Sequence, residues 1–574
     1  METLDRYGCG LVGVGDLSPG VIALRAVRCT FLVSTALLLS AGSPLFAQNP
    51  LDQASPEAIT RDLPKRPDPT IKPARPTIEV GAPLVPVADA GKAGILIGAI
   101  RVQGAQTISV GTYSAAIEPF IGLRLTNADF AKLSKAVADI ARKNGLVFAT
   151  AWVPPQSLEM GVLTVRIDEG QVSEVRLSGS SNTQVKRVLA KLRGHAAHVD
   201  ELETQIFLVS EIPGITLQKI RFVRDSGKGV LLVDAVEDRV SAQASVDTLG
   251  SDTVGPVRAI LSVDFNSLLN HGDVLTFQGV ATPVQAGELY YGYARYAVPF
   301  GGRGTTIALR GGAGFTKPGG NLSGLDVTGR SIEVGADLSH PLLRSKNANA
   351  TIVASVNALA VRQKLAGFQF SRDRVTTASL TLAADTALFG GRLRETITAT
   401  RGLGLIHATG FGDPLASRED ASGRFSLLNA YVDWTGTLVG PVSLKLAGSG
   451  QIASRALLAV SEMGLGGNRF GRAYGYSERS GDEGVAGSAE LRTDFNKPLP
   501  LLEWVQLYAF ADGGVVRNFD QGFGGGRLYS GGGGVRARLG KFGLGFETAF
   551  PLNSDRFDSG DRSPRLNMQL SLGL

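Results

Sequence analysis

From about Arg239 to the C-terminus, some 330 residues, the chain never shows the apolar period of a helix. Segments of roughly ten residues instead alternate apolar with small or polar side chains, and Gly, Asp and Asn turns separate them. In the last segment Leu566, Met568, Leu570, Leu572 and Leu574 fall on one face, and Asn567, Gln569, Ser571 and Gly573 on the other. Phe542, Leu544 and Phe546 alternate in the same way with Gly543, Gly545 and Glu547. A soluble sandwich also alternates, with its polar face in water and its apolar face on a second sheet. The length of the run, its lack of cysteine and helix, and an export signal favour a closed transmembrane antiparallel β-barrel over 239–574. About 20 residues per strand and connection give roughly 16 strands.

The export signal lies far upstream. Arg25 and Arg28 make a basic start, Thr30 to Ala41 an apolar stretch, and Ser43 to Ala47 a cleavage site, so 1–47 reads as a signal peptide with an N-terminal extension. Its apolar run is shorter than the ~20 residues of a membrane-spanning helix. Cys9 and Cys29, the chain's 2 cysteines, both precede the cleavage site, so the exported chain would carry none. Residues 48–93 form a linker whose recurring prolines cannot sustain a continuous helix or a central strand. It leaves room for a short helix around Ser55 to Asp62.

Two compact α+β units separate linker and barrel. In the first, 94–170, a strand over Ile95–Val102 precedes a helix capped by Thr126 with Asp129, whose Phe130, Leu133, Val137 and Ile140 share one face. A strand with Leu163, Val165 and Ile167 follows. The second, 171–238, repeats the order: a strand with Val175 and Leu177, helices with Val185, Val188, Leu189, Leu192 and with Leu202, Ile206, Val209, then strands over Ile220–Val223 and Val230–Val236.

Several motifs in this frame resemble the outer-membrane transporters of two-partner secretion, the haemolysin secretion/activation type with two POTRA domains and a barrel. In the first unit Pro155 and Gln156 resemble the family's proline-glutamine turn, and Glu169-Gly170 its Glu-Gly strand end. Pro213-Gly214 in the second resembles its Leu-Pro-Gly-Val segment, and Asn270-His271-Gly272-Asp273 its early Gly-Asp turn. Gly471-Arg472-Ala473-Tyr474 resembles the Val-Arg-Gly-Tyr tip of an inward-folded loop, with Gly for Val and Ala for Gly. Phe510, Asp512 and Gly514 match a Phe-x-Asp-x-Gly strand. Leu574 stands where a terminal Phe is usual.

The resemblance implies that Arg472 in the lumen pairs with Asp512 on the wall. The alternation agrees, because Tyr508, Phe510 and Asp512 share a face and a carboxylate cannot face lipid cheaply. A planar guanidinium can meet that carboxylate bidentately; a hydrated Asp512 with Arg472 in solvent is the alternative. The resemblance further implies an outer-membrane translocator that secretes a large exoprotein, with POTRA domains in the periplasm. Whether it also activates that cargo stays open. Outer-membrane lipid and the barrel assembly machinery are the other expected partners.

Other chemistries find little support. The net charge of +6 is small, and no basic run interleaves with aromatics, which argues against nucleic acid. His195, His198, His271, His340 and His407 are scattered, with no metal or triad spacing, so catalytic, metal and cofactor sites are all assigned none. The runs Gly524–Gly526 and Gly531–Gly534 lack the Lys-Ser/Thr of a phosphate loop and read as strand ends and small lumenal positions. An outer-membrane protein insertase and a passive porin remain the alternatives to a secretion channel.

Overall fold

The computed structural model describes residues 77–81, 87–91, 94–157, 161–520, 522 and 524–573. The signal peptide, both cysteines, the helix expected at Ser55–Asp62 and Leu574 lie outside the described residues.

The first unit contains β2 (Ile95–Leu96), β3 (Ala99–Gln103), α1 (Ser114–Ile117), β4 (Arg124–Leu125), α2 (Asn127–Lys143), β5 (Thr150–Trp152) and β6 (Val162–Asp168), following β1 (Thr77–Val80) in the chain. Its sheet runs β3-β6-β5. Helix α2 starts where Thr126 and Asp129 cap each other's backbone reciprocally, a device worth about 1 kcal/mol. Its stripe of Phe130, Leu133, Val137 and Ala141 is buried against Leu163, Val165 and Ile167. The strand expected over Ile95–Val102 is broken in two. Ile97 N–H turns to Leu123 O and Gly98 N–H to Gly161 O, so the chain changes partners at that point.

The second unit comprises β7 (Glu174–Ser178), α3 (Thr183–Leu189), α4 (Val199–Ser210), β8 (Ile215–Asp225) and β9 (Lys228–Glu237). Its sheet runs β1-β8-β9-β7. The linker thus supplies an edge strand, with Ile78 opposite Ile220 and Val80 opposite Phe222 in parallel pairing. Prolines on both sides confine that strand to four residues. Phe148 of the first unit inserts into the second unit's core and stacks on Phe222, ring centroids 4.6 Å apart.

The rest closes into a barrel of 16 antiparallel strands: β10 (Val240–Asp247), β11 (Arg258–Asn266), β12 (Val274–Ala281), β13 (Leu289–Phe300), β14 (Thr305–Thr316), β15 (Thr328–Arg344), β16 (Ala348–Leu365), β17 (Phe368–Leu388), β18 (Gly391–Leu403), β19 (Ser426–Val439), β20 (Val442–Ala453), then β23 (Glu483–Leu499), β24 (Leu502–Arg517), β25 (Gly526–Leu539), β26 (Phe542–Pro551) and β27 (Arg565–Gly573). The small hairpin β21 (Met463–Leu465) and β22 (Arg479–Gly481) lies within the connection from β20 to β23. Strand β10 closes the barrel on β27, Val246 facing Leu570. Alternation sets the two faces: Leu566 and Met568 are about half exposed on the outside, while Asn567 between them is buried. Gly532 and Gly534 face inward beneath Phe510 and Tyr508. Gly531 and Gly533 face outward with Val535, so only half of that run occupies lumenal positions.

The second unit sits against one end of the barrel. Thr183 N–H donates to His271 Nδ1 (2.8 Å), Gln184 Nε2 to Gly301 O (2.7 Å), and Arg344 Nε to Glu211 Oε1 (2.6 Å).

Candidate functional site: the lumenal loop and its wall

Strand β24 presents Tyr508, Phe510, Asp512 and Gly514 to the lumen, because an apolar strand with one lipid face must turn its alternate residues inward. The connection 454–482 folds back into the bore and brings Arg472 onto this row. Gly514 makes room for it: a Cβ there would meet Leu465 Cδ2 of the loop hairpin at 2.8 Å and Val485 O at 2.6 Å.

Arg472 Nε donates to Asp512 Oδ2 at 2.8 Å. The pair is not bidentate, which corrects the expectation from sequence. Asp512 Oδ1 instead accepts from Gly471 N–H (2.9 Å), Arg472 N–H (3.3 Å) and the Ser530 hydroxyl. The Nη1 of Arg472 donates to Glu490 Oε2 and Glu547 Oε2, both at 2.9 Å, and its guanidinium lies 3.7 Å over the Phe510 ring. Arg492 and Arg536 complete the neutralisation of Glu490 (2.7 and 2.8 Å). Three arginines therefore balance three carboxylates around a side chain that is nearly fully buried.

The other loop residues hold its shape. Gly471 has φ +81°, and Ala473, wholly buried, keeps a negative φ, so the left-handed residue of this tip is Gly471. Tyr474 OH bonds to Tyr529 O, Asn553 and Ser554 O, and its carbonyl accepts from Arg565 (2.5 Å).

The motif residues of the α+β units lie elsewhere. Gln156 clamps β6 by accepting from Thr164 N–H and donating to Thr164 O, both at 2.8 Å, as a strand neighbour would. Pro155 lies in the turn before it. Buried Glu169 accepts the N–H groups of Gln106, Thr107 and Ile108. Gly170, φ +83°, abuts Phe148, whose Cβ would lie 2.5 Å from an added Cβ. Gly214, φ +75° and preceded by Pro213, fits between Asp238 O and Asn266 at the joint with the barrel. Asp273 is fully buried, caps the N–H groups of Leu268, Leu269 and Asn270 and accepts from Tyr296 OH.

Sequence reasoning missed Glu490, Glu547, Ser530 and Arg536 as members of the site. The signal was available: each is a polar side chain on the face opposite the lipid-facing residues of its strand. Among the described residues no group of three or more His, Cys, Asp or Glu could hold a metal ion.

Residues 228–537 match the family model of the haemolysin secretion/activation protein ShlB/FhaC/HecB, and residues 95–170 the ShlB-type POTRA domain. The chain belongs to the ShlB/FhaC/HecB family. It is a two-partner secretion transporter of the outer membrane, in a family of translocators rather than of enzymes. The heme/hemopexin transporter protein HuxB of Haemophilus influenzae (strain 86-028NP) is 24% identical over 409 residues, 67% of this chain and 69% of HuxB. The outer membrane transporter CdiB of Escherichia coli O6:K15:H31 is 22% identical over 259 residues, 43% of either chain. The solved CdiB from Escherichia coli shares this ShlB/FhaC/HecB fold with a TM-score of 0.65, 18% identity, and coverage of 98% of this chain and 100% of that one. BamA from Haemophilus ducreyi lacking POTRA domains 1–3 has a TM-score of 0.53 at 11% identity, over 84% and 99% of the two chains.

Proposed function

We propose that the POTRA domains stand in the periplasm, that an edge strand of one of them captures an unfolded exoprotein by strand addition, and that the barrel conducts it outward as the Arg472 loop shifts. Folding outside prevents return, so no nucleotide is required. Barrel assembly machinery inserts the chain, and membrane lipid surrounds its apolar band.

The observation that carries this reading is how the loop is held. Its tip is fixed to the wall by Arg472 and three carboxylates on β23, β24 and β26. Such contacts can be exchanged for water or for cargo backbone while the strand ladder stays intact.

The test is a removable tether. A Cβ at Gly471 would lie 3.6 Å from Leu528 Cβ, within disulfide range. In Gly471→Cys/Leu528→Cys the oxidised protein should stop secreting the exoprotein, and reduction should restore it in the same cells. Equal secretion in both states sinks the moving-loop reading. Deleting the gene separates the alternatives: loss of one large exoprotein from the medium supports dedicated secretion, and a broad fall in other barrel proteins means insertase.

A further inference from the structure

The outer face of β15 to β18 carries five arginines near the rim farthest from the POTRA domains. Arg330, Arg362 and Arg372 stand side by side in register across β15, β16 and β17. Arg374 follows on β17, and Arg401 on β18 lies opposite Ala378. Their neighbours Gln363, Ser371 and Asp373 are buried on the lumenal side, so the arginines point outward, in line with Ile332 and Leu380 of the lipid band.

Like charges directly opposite one another destabilise a sheet unless something neutralises them. Asp413 approaches Arg372 at 3.7 Å, and among the described residues no carboxylate lies within ion-pairing distance of the other four. Arg330 rests over Phe315 (5.8 Å), and Arg401 Nη1 donates to Ser426 Oγ (2.5 Å), leaving most of their donors outward. Beside Arg401, which is itself part of the lining, a shallow open groove of about 690 Å³ lies on the same face, lined by Ala378, Ala399, Leu380, Leu428 and Ile452. A chain of methylenes fits such a groove, and a phosphate fits the guanidinium above it.

We infer that this face binds a membrane lipid with a phosphorylated headgroup, the arginines taking its phosphates and the groove one of its chains. The inference rests on the proposed orientation, which makes this rim extracellular.

The test uses the purified full-length chain in non-ionic detergent, read by native mass spectrometry with diphosphoryl lipid A and the same lipid stripped of its phosphates. The parent should prefer the phosphorylated lipid at least ten-fold. The variant Arg330→Gln/Arg362→Gln/Arg374→Gln/Arg401→Gln should lose that preference, and Ala399→Trp, which fills the groove, should weaken binding. Arg527→Gln, at an exposed position on the outer face of β25, should leave it intact. Heat-modifiable gel migration reports that each variant still forms a barrel. Equal retention of the two lipids by the parent overturns the inference, as does a preserved preference in the four-fold variant. Secretion plays no part in this assay, and surface labelling of Phe411→Cys, in an exposed loop at the same rim, reads the orientation separately.

Discussion

Arg472 and Asp512 meet through one guanidinium nitrogen at 2.8 Å, and the other carboxylate oxygen is occupied by the loop's own backbone. Asp512 therefore anchors the fold of the loop tip as well as its charge. Removing one partner of a buried pair costs about 3–5 kcal/mol because the other is left uncompensated. Arg472→Ala should expose the loop to protease and lower secretion, leaving Asp512, Glu490 and Glu547 to repel one another. Asp512→Asn should be milder, since its carbonyl still accepts from Gly471 N–H. Equal loop protection in parent and Arg472→Ala would refute the lock.

Phe148 belongs to the POTRA domain in sequence and to the second α+β unit in packing. Phe148→Ala should cost about 3–5 kcal/mol, and the loss should appear across the joint. Hydrogen exchange of the full-length chain should show β8 and α4 less protected, with α2, whose core is separate, unchanged. Deprotection confined to the first domain would mean that the two are not mechanically continuous.

Much of this architecture was legible in the sequence, and the reasons are local. The Thr126–Asp129 box and the stripe behind it define α2 without tertiary help, and strict alternation in Leu566–Leu572 marks a lipid-facing strand. What escaped was set by distant partners. Thr77–Val80 is too short and too flanked by proline to announce a strand, and it pairs only because β8 offers an edge. Glu490 and Glu547 lie 18 and 75 residues from Arg472, so no spacing joins them. The arginines of β15 to β18 look like scattered surface charges until the register aligns them.

The contact of Arg344 with Glu211 ties the second α+β unit to the barrel. Glu211 is half exposed, so the pair is worth at most about 1 kcal/mol after solvent screening. Arg344 also donates to the carbonyls of Leu343 and Ala350 and to Thr351. Reversal of both charges, Arg344→Glu with Glu211→Arg, should therefore fail to restore docking lost in Arg344→Ala. Spin-label distances between α4 and the turn at 301–304 would broaden in both variants. A reversal that restores the narrow distribution would show the pair acting through charge alone.

Glu237, the last residue of β9, reports on the same joint. Burial pushes its carboxyl up, but hydrogen bonds from Ser267, Asn182 and Ser180 and the charge of Arg239 outweigh that, and its pKa falls below the ordinary value. A depressed carboxyl stabilises the folded joint fully above its unfolded pKa, about 4.3, and this stabilisation is lost as pH falls through the lower folded value. The contribution of Glu237 to docking should thus be flat from pH 8 to about 5 and decline only in stronger acid. Glu237→Gln keeps an acceptor and a donor but cannot titrate, so it should start weaker at neutral pH and respond less to acid. The same spin-label pair, titrated in parent and variant, reads this directly: identical acid responses would remove Glu237 from the joint's pH dependence and leave the burial of Asn182 against Ser267 as its main support.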